Sequence, residues 1–235
     1  MAFFNKNRIL SFILTFIIFL VSPFTNFFSF NANAATGTLS VWRSTGIEIG
    51  RWYNFPSRIF VTKLNNNDDG FPFKLGMRHA ISEWNSALNT SISYYYSSNY
   101  ISEADIHYLG GTKSQILITG RFTQYDFTLS ENMHGTTAGY TYSTKSEQDI
   151  WYYGDEVKTG YIINFSKGFV VDFERTLTDT SRYKYYNVCT HELGHALGWL
   201  DHSTMNTDVM YRYSNIYHTL SSTEEQHLKQ VYDLA

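Results

Sequence analysis

Cys189-Thr190-His191-Glu192-Leu193-Gly194-His195-Ala196-Leu197-Gly198-Trp199-Leu200-Asp201-His202 is the stretch on which the reading of the whole chain turns. Written as a helix, it puts His191 and His195 on one face, with their Cβ atoms about 5–6 Å apart. Two neutral imidazoles at that spacing can grip one Zn2+ ion. Glu192 falls about 100° around the helix, beside the metal but out of line with the ligands. A carboxylate there can take a proton from an activated water and pass it to a leaving amine. Cys189, Leu193, Ala196 and Leu197 fall on the opposite face, which predicts a helix buried on one side and carrying the metal on the other.

His-Glu-x-x-His also occurs by chance in ordinary helices with two surface histidines. The residues that follow argue against that here. Gly198 stops the helix, so the chain can turn back toward the metal. Two further candidate ligands, Asp201 and His202, come next. Eight residues past His202 stands Met210, within a Val209-Met210-Tyr211 segment that has the character of a methionine turn beneath a zinc site.

On these residues the chain resembles the metzincin metallopeptidases, most closely the matrixin group, whose signature core matches His191 to Gly198. The resemblance implies an α+β fold: a metzincin-like catalytic domain with a mixed twisted sheet, an active-site helix and a C-terminal helix. It extends outward over most of the chain. The helix ending in Glu83-Trp84-Asn85, the Ala104-Asp105-Ile106 strand, the Ala138-Gly139-Tyr140-Thr141 segment and the final helix come in matrixin order. The implied cofactor is Zn2+, with His191 and His195 as ligands, Glu192 as catalytic base and acid, and Met210 as support below the metal. The implied activity is endopeptidase cleavage of a protein or peptide lying along an edge strand, which the sequence places within 115–142.

One departure concerns the third ligand. The family spacing, HExxHxxGxxH, puts it at Asp201, and snapalysin-type secreted bacterial proteases similarly have Asp followed by His. The spacing from His202 to Met210, however, is that of ordinary matrixins, as though one residue were inserted before Asp201. Asp201 is therefore the first choice and His202 the alternative, both being competent zinc ligands. In the astacin and serralysin branches a tyrosine shortly after the methionine helps stabilise the tetrahedral intermediate, which nominates Tyr213 as an oxyanion donor. Matrixins generally lack it, and a core or pocket-wall tyrosine is the simpler reading.

Composition fits a globular chain. The 235 residues are 43% hydrophobic and 17% charged, which suits one domain and excludes a disordered or fibrous chain. A net charge of −3 gives no electrostatic reason to expect nucleic acid as a partner. The single cysteine, Cys189, cannot form an internal disulfide and reads as a small buried residue, not a latency cysteine. No PRCGxPD segment is present, so no large inhibitory prodomain is expected.

Residues 1–34 read as an export signal: basic Lys6 and Arg8, an apolar run over 9–21, and Ala32-Asn33-Ala34 as the cleavage site. The expected product is a secreted monomeric catalytic domain, 35–235, with no membrane segment.

Periodicity predicts a strand over 58–64, a turn over 65–70 and a helix from near Phe73, whose Met77, Ala80, Ile81, Trp84, Ala87 and Leu88 form one apolar face. The acidic turn admits structural Ca2+, although a solvated turn is simpler because the alternating oxygen-ligand pattern is incomplete. Strands follow over 91–96, 104–109, 115–119, 137–142 and 160–165. Helices are expected over 186–197 and 222–234, the latter opened by a capping box of Ser222 and Glu225. His79, His107, His134, His218 and His227 have no metal-type spacing and read as surface or structural histidines.

Two rivals remain. One is the class of zinc peptidases whose third ligand is a downstream glutamate, for which Glu224 and Glu225 are the candidates. The other is a non-catalytic zinc- or glycan-binding module, whose signature would be loss of Glu192.

Overall fold

The computed structural model describes residues 39–42, 48–52, 54–63, 73–96, 104–112, 114–115, 135–152, 156–173, 181–213 and 219–232. The expected signal sequence, the 65–70 turn, His134 and His218 lie outside the described residues, as does all but Gln115 of the 115–119 strand. Gln115 itself is helical and not extended, and its side-chain oxygen accepts the Thr112 amide at 2.9 Å.

Ten elements carry the fold among the described residues. They are β1 (Leu39–Trp42), β2 (Glu48–Trp52), β3 (Arg58–Lys63), α1 (Phe73–Leu88), β4 (Ser93–Tyr96), β5 (Ile106–Gly111), β6 (Gly135–Tyr152), β7 (Glu156–Phe173), α2 (Ser181–Leu197) and α3 (Ser222–Tyr232). The strands form one mixed sheet in the order β1-β6-β7-β5-β3-β4, with β2 also paired to β7. All pairs are parallel except β6 with β7. β6 lies along one edge of β7. The other edge takes β2 at Tyr161 to Phe165 and then β5 at Gly168 to Phe173. This is the expected α+β arrangement of a mixed sheet with helices.

α1 forms because its apolar residues recur every three or four positions; Phe73, Met77, Ala80, Ile81, Trp84, Ala87 and Leu88 are all buried. It ends at Asn89, whose φ of 52° is left-handed, a conformation asparagine tolerates. The Asn85 side chain then ties the exit down: its oxygen accepts the Ile92 amide at 2.7 Å and its amide donates to the Ile92 carbonyl at 3.1 Å. The chain is thereby aimed into β4.

α2 begins earlier than the apolar pattern indicates. Ser181-Arg182-Tyr183-Lys184 shows no apolar stripe, and Tyr183 is exposed, yet the helix runs through them. Its second half is more enclosed than expected. Cys189, Leu193, Ala196 and Leu197 are buried, but so are His191 and Glu192 on the side expected to be open. Two buried indoles hold this half in place: Trp84 Nε1 donates to the Thr190 carbonyl and Trp52 Nε1 to the Ala196 carbonyl, both at 2.8 Å. Truncating either side chain would cost about 3–5 kcal/mol.

The cap of α3 is shifted by one residue from the expected pair. Ser221, not Ser222, is the capping residue: its Oγ accepts the Glu224 amide at 3.3 Å, and Glu224 Oε2 accepts the Ser221 amide at 2.8 Å. No helix among the described residues is long and apolar enough to cross a membrane.

Candidate metal centre

The centre is assembled from the end of α2 and the loop that follows it. His191 donates its Nδ1–H to the Val209 carbonyl at 2.8 Å, and His195 donates its own to the Trp199 carbonyl. These carbonyls fix the tautomers, because an imidazole that donates from Nδ1 keeps its lone pair on Nε2. The two Nε2 atoms face each other at 3.1 Å. Two lone pairs at that distance repel unless a cation lies against both. Bonds from Zn2+ to imidazole nitrogen of about 2.0–2.1 Å at a tetrahedral angle imply an N···N separation of about 3.3 Å. The pair therefore fits a zinc ion.

His202 completes the set. Its ring centroid lies 5.2 Å from that of His191 and 5.0 Å from that of His195. One nitrogen from each of the three rings falls within 4.8 Å of the others, and this trio can hold a metal ion. Asp201, the first choice from motif spacing, is not a member of the trio; the histidine one position later is.

The electrostatics favour ligation. Burial holds the His191 pKa down at about 4, and the neighbouring His202 adds to the effect, against the opposing hydrogen bond to Val209. Burial also holds His195 well below its ordinary value, with His191 and His202 contributing. For His202 the causes are burial and then the Arg212 guanidinium. All three imidazoles are thus neutral near pH 7, the form that binds metal. Glu192 adjoins His191 on the helix and is only 7% exposed.

The loop between the second and third histidines is turned by Gly198, at a φ of +130°. Its amide donates to the Gly194 carbonyl at 3.1 Å and the Trp199 amide does so at 3.0 Å, closing the helix. The Gly198 carbonyl accepts the Gly50 amide of β2 at 2.6 Å. The turn is therefore docked on the sheet as well as ended.

Met210 lies against the middle of α2, where Gly194 makes room: a Cβ on Gly194 would stand 2.5 Å from Met210 Sδ and 2.7 Å from the Trp84 ring. The Met210 carbonyl accepts the Ser203 amide at 2.8 Å, and its amide donates to Glu224 Oε1 at 2.8 Å. Asp208 joins the same network, accepting Ser203 Oγ at 2.5 Å and Ser221 Oγ at 3.1 Å.

Sequence reasoning missed this network. Its visible trace was Glu224 near a helix start, which reads equally well as a cap or a ligand. Both glutamates of the rival metal set are otherwise engaged: Glu224 binds the amides of Met210 and Ser221, and Glu225 pairs with Lys229 at 3.5 Å. Tyr213 is 65% exposed, so it is not a core residue; its ring lies near Tyr211 and the Arg212 guanidinium.

No curated protein matches the chain. The model of the family described as Matrixin matches residues 72–233, more than half of its length and inclusive of every residue of the centre. A matrixin match that spans the trio of histidines, the glycine-turned loop and Met210 leads to one conclusion: this chain belongs to the matrixin family of metallopeptidases.

Proposed function

We propose that this matrixin is a secreted zinc endopeptidase with His191, His195 and His202 as metal ligands and Glu192 as general base and acid. The observation that carries the reading is the convergence of the His191 and His195 Nε2 lone pairs, each aimed by a backbone carbonyl on its Nδ1. His202 is preferred to Asp201 as third ligand because its ring nitrogen stands in the trio. A zinc ion held by these three residues would supply a Lewis acid for the scissile carbonyl and for the attacking water. Glu192 accepts the proton of that water and returns it to the leaving nitrogen, for which its position next to His191 is suited. Met210 supports the ligand helix from below, and Tyr213 remains a subsidiary candidate for binding the developing oxyanion.

The substrate lies extended along the first half of β6. Among the described residues this stretch is paired to β7 on one side, while β1 reaches only Ile150 to Tyr152. An added peptide strand on the remaining edge gives main-chain affinity, with side-chain pockets left for selectivity. Secretion rests on the basic, apolar and small-residue pattern of residues 1–34.

The test is to incubate residues 35–235 with a diverse peptide library, with and without a zinc chelator, and to identify products by mass spectrometry. Internal cuts that vanish with chelator and with Glu192→Ala are expected. A folded, zinc-loaded protein that makes no cut would refute the reading and favour a non-catalytic binding module.

A further inference from the structure

α3 carries a buried histidine outside the metal trio. His227 is 1% exposed, and its ring lies flat on the Trp199 indole, with centroids 3.7 Å apart and planes 12° from parallel. Trp199 is itself fully buried. Its backbone is committed at both ends: the amide donates to the Gly194 carbonyl at 3.0 Å, and the carbonyl accepts the Nδ1–H of His195. One residue thus connects the last turn of α2, the ring of a ligand and the face of α3.

The direction of the Trp199 carbonyl decides where the His195 lone pair points. If that carbonyl rotates, the His195 ring loses the bond that selects its tautomer and orients it. The Trp199 amide closes the end of α2, whereas its carbonyl belongs to the next peptide plane, in the irregular loop beyond the helix. On the side-chain side, the residue is packed flat against the His227 ring. Burial pushes His227 down to a pKa of about 3, so the ring in the stack is neutral and adds no charge beside the metal centre.

We propose that His227 is a positioning residue for the metal centre: stacked on Trp199, it holds the Trp199 carbonyl in line with His195 Nδ1 and so sets the angle at which His195 meets the ion. This rests on the reading of His195 as a metal ligand. Trp199 opens the Trp199-Leu200-Asp201 run before His202, and its side chain anchors that run to a second helix.

The experiment compares the parent with His227→Phe, His227→Leu and His195→Ala. Zinc affinity is read by competition with a chromogenic chelator, and ligand geometry by the visible spectrum of the Co2+ form. Phenylalanine keeps a flat ring on the indole, so His227→Phe should retain parental affinity and spectrum. Leucine keeps the apolar bulk but not the stack, so His227→Leu should bind zinc about 10–100-fold more weakly and alter the Co2+ bands. A His227→Leu protein with parental affinity and spectrum would overturn the proposal, and so would equal losses in the Phe and Leu variants. Should His227→Leu fail to fold, the ring-nitrogen NMR of the parent and His227→Phe decides. A hydrogen-bonded His195 Nδ1–H in both supports the role, and its persistence in a folded His227→Ala protein overturns it. Parental affinity in His195→Ala would instead overturn the metal-centre reading beneath the proposal.

Discussion

Replacing Gly198 by alanine should disable both the fold and the metal centre, and the size of the effect can be worked from the backbone. At a φ of +130° an L-residue is strained, at a cost of about 1–3 kcal/mol. The new Cβ would stand 2.1 Å from the Gly50 carbonyl oxygen and 2.8 Å from its carbon. Those atoms belong to backbone, so no side-chain rotation relieves the contact and the loop must lift off β2. Lifting it breaks the 2.6 Å bond from the Gly50 amide and leaves that buried donor unsatisfied, a further loss of about 1–3 kcal/mol. Together the losses reach about 2–6 kcal/mol, the upper end of which matches the whole stability of a marginally stable domain. Urea denaturation at saturating zinc should show this loss or leave no folded baseline. A chelator competition should show weakened zinc binding in any protein that still folds, because Trp199 and His202 move with the loop. A Gly198→Ala protein within about 1 kcal/mol of the parent, with zinc affinity unchanged, would refute the reasoning.

Three other perturbations separate the parts of the site. In Gly194→Ala the Cβ, 2.5 Å from Met210 Sδ, should bring overpacking of about 1–3 kcal/mol, against a helix-propensity gain of about 1 kcal/mol. Calorimetry should therefore find a net destabilisation that Met210→Ala partly relieves in the double variant. Burial raises the Glu224 carboxyl from 4.5 to about 7, so the folded state keeps a proton that the unfolded chain gives up. Its contribution is full below pH 4.5 and is lost as the pH climbs to 7; the parent's stability relative to Glu224→Gln should thus fall by roughly 3 kcal/mol over that window in denaturant titrations. His202→Ala should abolish tight zinc binding, whereas Asp201→Ala should stay within about ten-fold of the parent; the opposite ranking in a zinc titration would return the third-ligand role to Asp201.

The parts of this protein legible in the sequence are those governed by local repetition. The apolar stripe of α1, the pairing of His191 with His195 and the glycine that ends α2 all follow from 3.6-residue geometry or from the special backbone freedom of one residue. Where a local signal is weak or duplicated, the reading slips. The start of α2 is not legible because Ser181 to Lys184 has no apolar period, although the helix runs through it. Ser221 and Ser222 are both competent caps. Only the placement of Glu224 beneath the Met210 amide selects Ser221.

The third ligand shows the same division more sharply. Spacing by itself determined that a metal-binding helix would be followed by a turn and by a ligand at Asp201 or His202. Which of the two joins His191 and His195 depends on the path of the intervening loop. That path is set by Gly198 docked on Gly50 of β2 and by Trp199 stacked on His227 of α3. Neighbouring residues in an irregular loop point in different directions, and contacts with distant elements choose between them. The candidate ligand chemistry was therefore written in the local sequence, whereas the tertiary structure decided which side chains come together, bringing His202 and not Asp201 into the trio.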